Sequence, residues 1–424
     1  MKIAPRFCWL KAIVTLFCLA LSVRLAAAET PSLSLAQALA MAHERNPAIE
    51  ISRERVNAAE GMHTQAGLLP NPSLTATSEN QPFSGSPGFS FANQTDDYIY
   101  ASQIVELGGK RGRRMDAAQA GVAAAGEEAE IASRQLAARV GTDYWNADGT
   151  AMVRDLYRAE AAMFAQMTEY SGGRVREGAA AGADLLRIQI ESDRLRTSAN
   201  FATAEANRSL IALYHDMGAS DFPQDVTFAD SIENLERVDA PPIEVVLRQR
   251  PEMRAAEDRL KQAQANVSLE HANAIPDPDL MFGYKRWSGY NQFTGLNTMF
   301  FGVKAPIPIF NRNQGKISAA DAEFRIAKRN LSAQEMTIRA EVASTNSDYL
   351  NSREAIDRIL AGMSDRANRN LEITSQAYRI GGTDLIRYLD AERVRIETRV
   401  TYVRALARYH QSVVNLQYAT GMIR

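Results

Sequence analysis

The sequence is poor in thiols, in histidine and in long apolar runs, and each shortage removes a class of protein. Its 424 residues contain two cysteines, Cys8 and Cys18, both within the first 28 positions. Once that segment is cleaved, no thiol is left for a disulfide or a thiolate-held metal. The five histidines, His43, His63, His215, His271 and His410, never fall three or four residues apart, so no helix face pairs two imidazoles. No His-Glu-x-x-His, Gly-x-Ser-x-Gly or phosphate-loop pattern occurs. The expectation is a chain with no catalytic residue, no metal site and no cofactor. Beyond residue 28 no stretch stays apolar for the roughly 18 residues a spanning helix needs. Any membrane crossing must then be made by strands closed into a barrel.

The apolar run that is present sits at the N-terminus. Lys2, Arg6 and Lys11 precede apolar residues 12–23, and Ala26-Ala27-Ala28 offers a small-x-small cleavage pattern before Glu29. Residues 1–28 therefore read as a secretory signal peptide. Bulky Phe17 before Cys18 is a poor lipid-attachment signal, so the exported chain is expected to be unlipidated. Cleavage removes Lys2, Arg6, Lys11 and Arg24 but no acid, taking the formal net charge from −2 to −6. A mildly acidic chain is not a nucleic-acid binder.

What remains is one unit said twice. Asn46-Pro47 and Arg250-Pro251 each open a helical stretch, closed by Pro70-Asn71-Pro72 and Pro276-Asp277-Pro278. Glu106-Leu107-Gly108-Gly109-Lys110-Arg111 aligns with Pro308-Ile309-Phe310-Asn311-Arg312-Asn313, Asp184-Leu185-Leu186 with Asp384-Leu385-Ile386, and Leu213 and Gly218 with Leu416 and Gly421. The first repeat covers 29–218 and the second 242–424. The Asp-, Pro- and Ser-rich segment 219–241 connects them.

Within each repeat the pattern predicts a helix (34–67 and 242–274), a strand pair, a very long helix (113–172 and 315–377), a tight turn and a return helix (184–217 and 384–420). Pro70, Pro72, Pro276 and Pro278 mark the helix-to-strand boundaries, because the residue before proline is pushed out of the helical region. The strands are expected at about 73–79, 98–106, 279–286 and 298–306, from their β-branched and aromatic content. Tyr98, Tyr100, Phe282, Tyr284, Trp287, Tyr290, Phe300 and Phe301 gather there, as an interfacial girdle would require. Trp145, Gly149, Met152, Leu156, Ala159 and Met163 keep a 4-3-4-3-4 spacing, and Ile317, Ala320, Phe324, Ala327 and Leu331 continue it. Such a seam belongs to a coiled coil. Glu127, Glu128 and Glu130 are expected on its wet face, His43-Glu44 as a surface pair, and His410 packed in the seam. The turns fall at 176–183 and 379–383, where Gly178, Gly182, Gly381 and Gly382 permit reversal and Asp184 and Asp384 are placed to cap the returning helices.

Long helices of this length extend about 90 Å, and a return helix stacked on an opening helix matches them. Four strands cannot close a barrel, for which about eight is the minimum, so other copies must complete it. Two copies would give a side-chain-filled barrel and three a lumen. The fold class is mainly α with a small β part: a duplicated helix–strand pair–long helix–return helix unit.

The duplicated pattern, Leu69-Pro70-Asn71-Pro72-Ser73-Leu74 and the run from Tyr378 through Gly381-Gly382-Thr383-Asp384 to Leu389-Asp390-Ala391 resemble the TolC family of outer-membrane efflux proteins. The resemblance implies a homotrimer with a twelve-stranded barrel in outer-membrane lipid and a helical tunnel in the periplasm. It also implies a periplasmic adaptor docking at the tip turns (Gly178, Gly182, Asp184, Gly381, Gly382, Asp384) and an inner-membrane pump, the RND type being the candidate. Glu106-Leu107-Gly108-Gly109-Lys110-Arg111 is similar to the cobalt–zinc–cadmium resistance branch, which favours heavy-metal cargo. Drug efflux and type I protein secretion are the alternatives. A periplasmic adaptor would carry one hairpin with lipoyl-like segments, and a structural coiled coil would need neither Pro-x-Pro punctuation nor strands. The resemblance places Asp390 at the tunnel constriction. The companion acid three residues earlier is Arg387 here, so the expected aperture pair is Arg387 with Asp390, within or between chains.

Overall fold

The computed structural model describes residues 32–80, 95–287 and 296–423. The expected signal peptide, Tyr290 and most of the two strand-connecting loops lie outside them.

Two short helices replace each predicted opening helix. In the first repeat, α1 (Leu35–Arg45) starts on a capping box between Ser34 and Gln37. It stops at Asn46, which is extended (φ −73°, ψ 123°) because Pro47 follows. The Asn46 carboxamide then accepts from Ala48 N–H at 2.9 Å and starts α2 (Pro47–Ala66). In the second repeat, α5 (Ile243–Gln249) and α6 (Pro251–Asn273) break at Arg250 with nearly the same backbone, φ −71° and ψ 121°.

The strands form two sheets. Ser32–Leu33 (β1) pairs parallel with Thr227–Phe228 (β4), tying the start of the described chain to the connector. The larger sheet is antiparallel, in the order β2 (Ser73–Glu79), β3 (Asp96–Ile104), β5 (Asp279–Arg286), β6 (Asn297–Lys304). The observed β3 and β6 end two residues short of prediction, at Ile104 and Lys304. The repeats meet at its centre, and β2 and β6 are left as edges.

The long helix α3 (Lys110–Arg176) has 67 residues, about 100 Å at the usual rise, and exceeds its prediction at both ends. Its counterpart is broken into α7 (Gln314–Arg358), a π-helical turn (Ile359–Met363) and α8 (Ser364–Arg379). The break falls at Gly362, whose φ of 152° few L-residues adopt. Both long helices start from a left-handed residue, Gly109 (φ 69°) and Asn313 (φ 62°). Gly109 is therefore equivalent to Asn313, not to Asn311 as the sequence alignment placed it.

The return helices are α4 (Gly182–Asp216) and α9 (Leu385–Thr420). Asp384 caps α9 by accepting from Arg387 N–H at 3.0 Å. Asp184 does not cap α4: Ala181 holds that position, and Asp184 lies in the first turn, where its charge faces the positive helix end.

Return and opening helices stack end to end in both repeats. Asn46 donates to the Asp216 carbonyl at 2.8 Å, and a Cβ on Gly218 would lie 2.7 Å from the Arg45 backbone. At the matching joint, buried Arg250 donates to the carbonyls of Tyr418 (3.2 Å) and Ala419 (2.7 Å) and pairs with Glu252 and Glu341. Beside these joints α3 packs against α2, α4, α6 and α9, and α7 against α6 and α9. The core divides accordingly. One cluster, with Tyr144, Trp145, Tyr349, Leu406 and Tyr409, lies at the joints. A second, with Val153, Leu156, Phe164, Ile188, Leu389 and Ile396, runs toward the turns.

Candidate channel surfaces

The four-stranded sheet has two chemically distinct faces, set by its register. Leu74, Ala101, Phe282 and Phe301 lie in one row, Ala76, Ile99, Tyr284 and Met299 in the next, and Leu280 pairs with Val303. All are exposed, Phe301 at 83% and Leu74 at 74%. An apolar band open to the surroundings has the chemistry of a lipid-facing surface.

The opposite face carries Ser73, Ser102, Thr75, Tyr100, Thr77, Tyr98, Lys285, Thr298 and Phe300. It is more enclosed and internally bonded: the Ser73 and Ser102 hydroxyls are 2.9 Å apart, and Phe300 packs edge-on against Tyr98 and Tyr100. The expected aromatic girdle therefore splits. Phe282, Tyr284 and Phe301 are on the apolar face, whereas Tyr98, Tyr100 and Phe300 face the other way. Residue type alone could not separate them; period-2 alternation separates neighbours within one strand, and the register between strands joins them into faces.

At the opposite pole lie the two tip turns, because both long helices leave the sheet and run the same length. Gly178 (φ 72°) and Gly381 (φ 76°) reverse the chain, and both are exposed, as are Gly382 and Asp384. Just inside the turn, Arg387 and Asp390 are both exposed on α9, and they form no ion pair with each other within the chain. The intrachain version of the expected pair is thus absent, since both side chains point away from the core that Leu385 and Leu389 occupy.

A second charge cluster at this end was not foreseen. Arg395 bonds Glu160 of α3 at 2.7 Å and Glu392 of its own helix at 2.9 Å, with both carboxylates almost fully buried. Arg399 approaches Glu160 at 3.6 Å. Tyr388 donates to Glu392 at 3.1 Å and stacks on Tyr378 at 5.4 Å. Burial, then the Glu392 charge, push the Tyr388 hydroxyl up to about 12. A signal existed: Glu160 sits four residues from both Leu156 and Phe164, where a seam residue belongs. The expected seam residue Met163 is exposed instead, because α4 and α9 flank α3 on two sides and carry the buried stripe through Phe164.

Other expected surfaces resolve individually. Glu127 and Glu128 pair with Arg254 and Arg259 of α6, so this acidic run bridges helices. His410 is buried, stacks on Trp145 at 3.9 Å and bonds the Ile232 carbonyl at 2.8 Å. Burial lowers its pKa. Among the described residues no helix is long and apolar enough to cross a membrane, and no three His, Cys, Asp or Glu cluster around a potential metal.

Long helical hairpins continued by a four-stranded sheet define the TolC-like channel fold. Solved structures agree: the channel CusC superposes with a TM-score of 0.77 at 18% identity, covering 92% of this chain and 93% of that one. MtrE of Neisseria gonorrhoeae superposes at 0.73, with 20% identity and coverage of 92% and 90%. Residues 243–422 match the family model described as outer membrane efflux protein. Over 403 residues the chain is 24% identical to the cobalt-zinc-cadmium resistance protein CzcC of Cupriavidus metallidurans, covering 92% of this chain and 90% of the relative. It is 28% identical to the nickel and cobalt resistance protein CnrC of the same organism, covering 72% and 70%. The chain thus has the fold of these outer-membrane channels and is similar in sequence, over most of its length, to CzcC-like outer-membrane efflux proteins.

Proposed function

We propose that three copies of this chain form a passive, non-catalytic conduit for heavy-metal cations, fed by a periplasmic adaptor and an inner-membrane pump. The observation that carries the reading is the sheet: four strands, two open edges and an apolar face exposed along its whole width. Such a sheet is stable in lipid only when its edges pair with other copies, and twelve strands leave room for a lumen. Metal cargo rests on the names of the matched relatives. A deletion strain should lose tolerance to cobalt, zinc, cadmium or nickel and regain it with the intact gene. Unaltered metal tolerance alongside new sensitivity to drugs would replace metal with drug cargo.

The tip turns Gly178, Gly182, Asp184, Gly381, Gly382 and Asp384 form the adaptor-facing end, and Pro70, Pro72, Pro276 and Pro278 fix where helix gives way to strand. Arg387 and Asp390 narrow the aperture by pairing between neighbouring chains, since both are exposed and unpaired with each other within one. Arg387→Ala and Asp390→Ala, singly and together, should raise single-channel conductance in planar bilayers. Wild-type conductance in all three variants would remove these residues from the aperture.

A further inference from the structure

The inner face of the sheet carries a charge arrangement at its outer end that the conduit reading does not itself require. Lys285 of β5 is largely enclosed, with 13% of its side chain exposed. Its ammonium lies 4.2 Å from the centre of the Tyr98 ring and 3.3 Å from that of Trp287, and donates to the Tyr98 hydroxyl. Asp96 of β3 stands 3.8 Å away with 8% exposure, and Asn80 donates to it at 3.0 Å. An ammonium held over two rings and beside a carboxylate is fixed in place.

The surroundings hold few other charges. The loops 81–94 and 288–295 contain no Asp, Glu, Lys or Arg at all. Glu79 is the register partner of Asp96 and shares its face, whereas Asp97 and Arg286 are register partners on the apolar face. Among the described residues the inner face at this pole therefore holds one ammonium and two carboxylates per chain, and Asp96 is the carboxylate against the ammonium. In a closed ring of copies these groups repeat around the mouth of the lumen. A low-dielectric wall focuses so small a set of charges, and their balance decides which sign of ion passes.

We propose that Asp96 and Lys285 set the charge selectivity of the outer mouth: Asp96 cancels the Lys285 ammonium and keeps the exit open to cations. The inference rests on the conduit reading, from which the following experiment separates it. Full-length protein is reconstituted in planar bilayers, and the reversal potential is read across a KCl gradient. Wild-type protein that forms no heat-modifiable oligomer and no conductance defeats the conduit itself. Given a conducting wild type, Asp96→Asn should lower the cation-to-anion permeability ratio several-fold, and Lys285→Gln should raise it. The double variant should return near wild type. Unchanged selectivity in both single variants overturns the proposal. Should Asp96→Asn fail to assemble, Lys285→Gln carries the test alone. Failure of both single variants while the double variant assembles would show a purely structural pair and equally overturn it.

Discussion

Asp148 shows how far a single residue departs from its expected chemistry. It lies one helical turn beyond Tyr144 on α3, is 7% exposed, and makes no ion pair with any described cation. Asp230 of the connector is close by, accepting from the Tyr144 hydroxyl at 2.8 Å and from Leu35 N–H at 2.7 Å. Burial first, and the Asp230 charge second, push the Asp148 carboxyl up to about 7. Asp143, one turn back, is pushed up to about 6 by burial and by Asp216. A carboxyl raised in the folded state binds its proton more tightly there than in the unfolded chain. The resulting stability is complete below about pH 4, the unfolded pKa, and is lost as pH rises through about 7. Asp148→Asn should therefore stabilise the protein at pH 8, on the order of 1–2 kcal/mol, and have little effect at pH 4. Thermal unfolding followed by circular dichroism at the two pH values checks this. An equal effect at both would mean that packing, not protonation, governs the site. Nothing in the local sequence announced the shift, because Asp230 reaches Asp148 only through the fold.

At the scale of elements, prolines and glycines were legible wherever their backbone rule acts locally, and less so where tertiary packing intervenes. Pro47 and Pro251 were expected near helix starts. Each separates two helices, because an extended residue must precede it and the return helix of the same repeat docks at the break. Gly149 was placed on the seam from spacing alone, and its role is spatial. A Cβ added there would come within 2.6 Å of the Ala407 Cβ on α9, closer than two such carbons can pack. Gly141, two turns earlier, meets Val414 at 3.0 Å. Gly149→Leu should force α3 and α9 apart and cost roughly 2–3 kcal/mol. Gly126→Leu on the same helix, where nothing lies within 4 Å, should cost far less. Urea denaturation of the two variants compares them directly. The π turn at Ile359–Met363 lies beyond the spaced run from Ile317 to Leu331, so that run carried no signal of it.

For the whole molecule, duplication and length were the informative signals. Repeat spacing anticipated paired rods, and the near-equality of α3 with α7, the π turn and α8 together is what puts both turns at one pole. What spacing could not supply is the sidedness of the sheet, which depends on register across strands far apart in the chain. That sidedness makes a prediction about assembly. Phe301 and Thr298 are both on β6 but on opposite faces, and Phe301 lies in the exposed apolar row. An arginine in the lipid-facing row costs about 2–4 kcal/mol near mid-membrane, whereas the inner face can hydrate it. Phe301→Arg should therefore abolish the heat-modifiable oligomer in outer-membrane extracts. Thr298→Arg should preserve it while altering ion selectivity, since a cation is then added near Lys285. The reverse outcome would exchange the two faces, making the tyrosine-lined surface the one that meets lipid, and the Asp96–Lys285 pair would then lie outside the lumen.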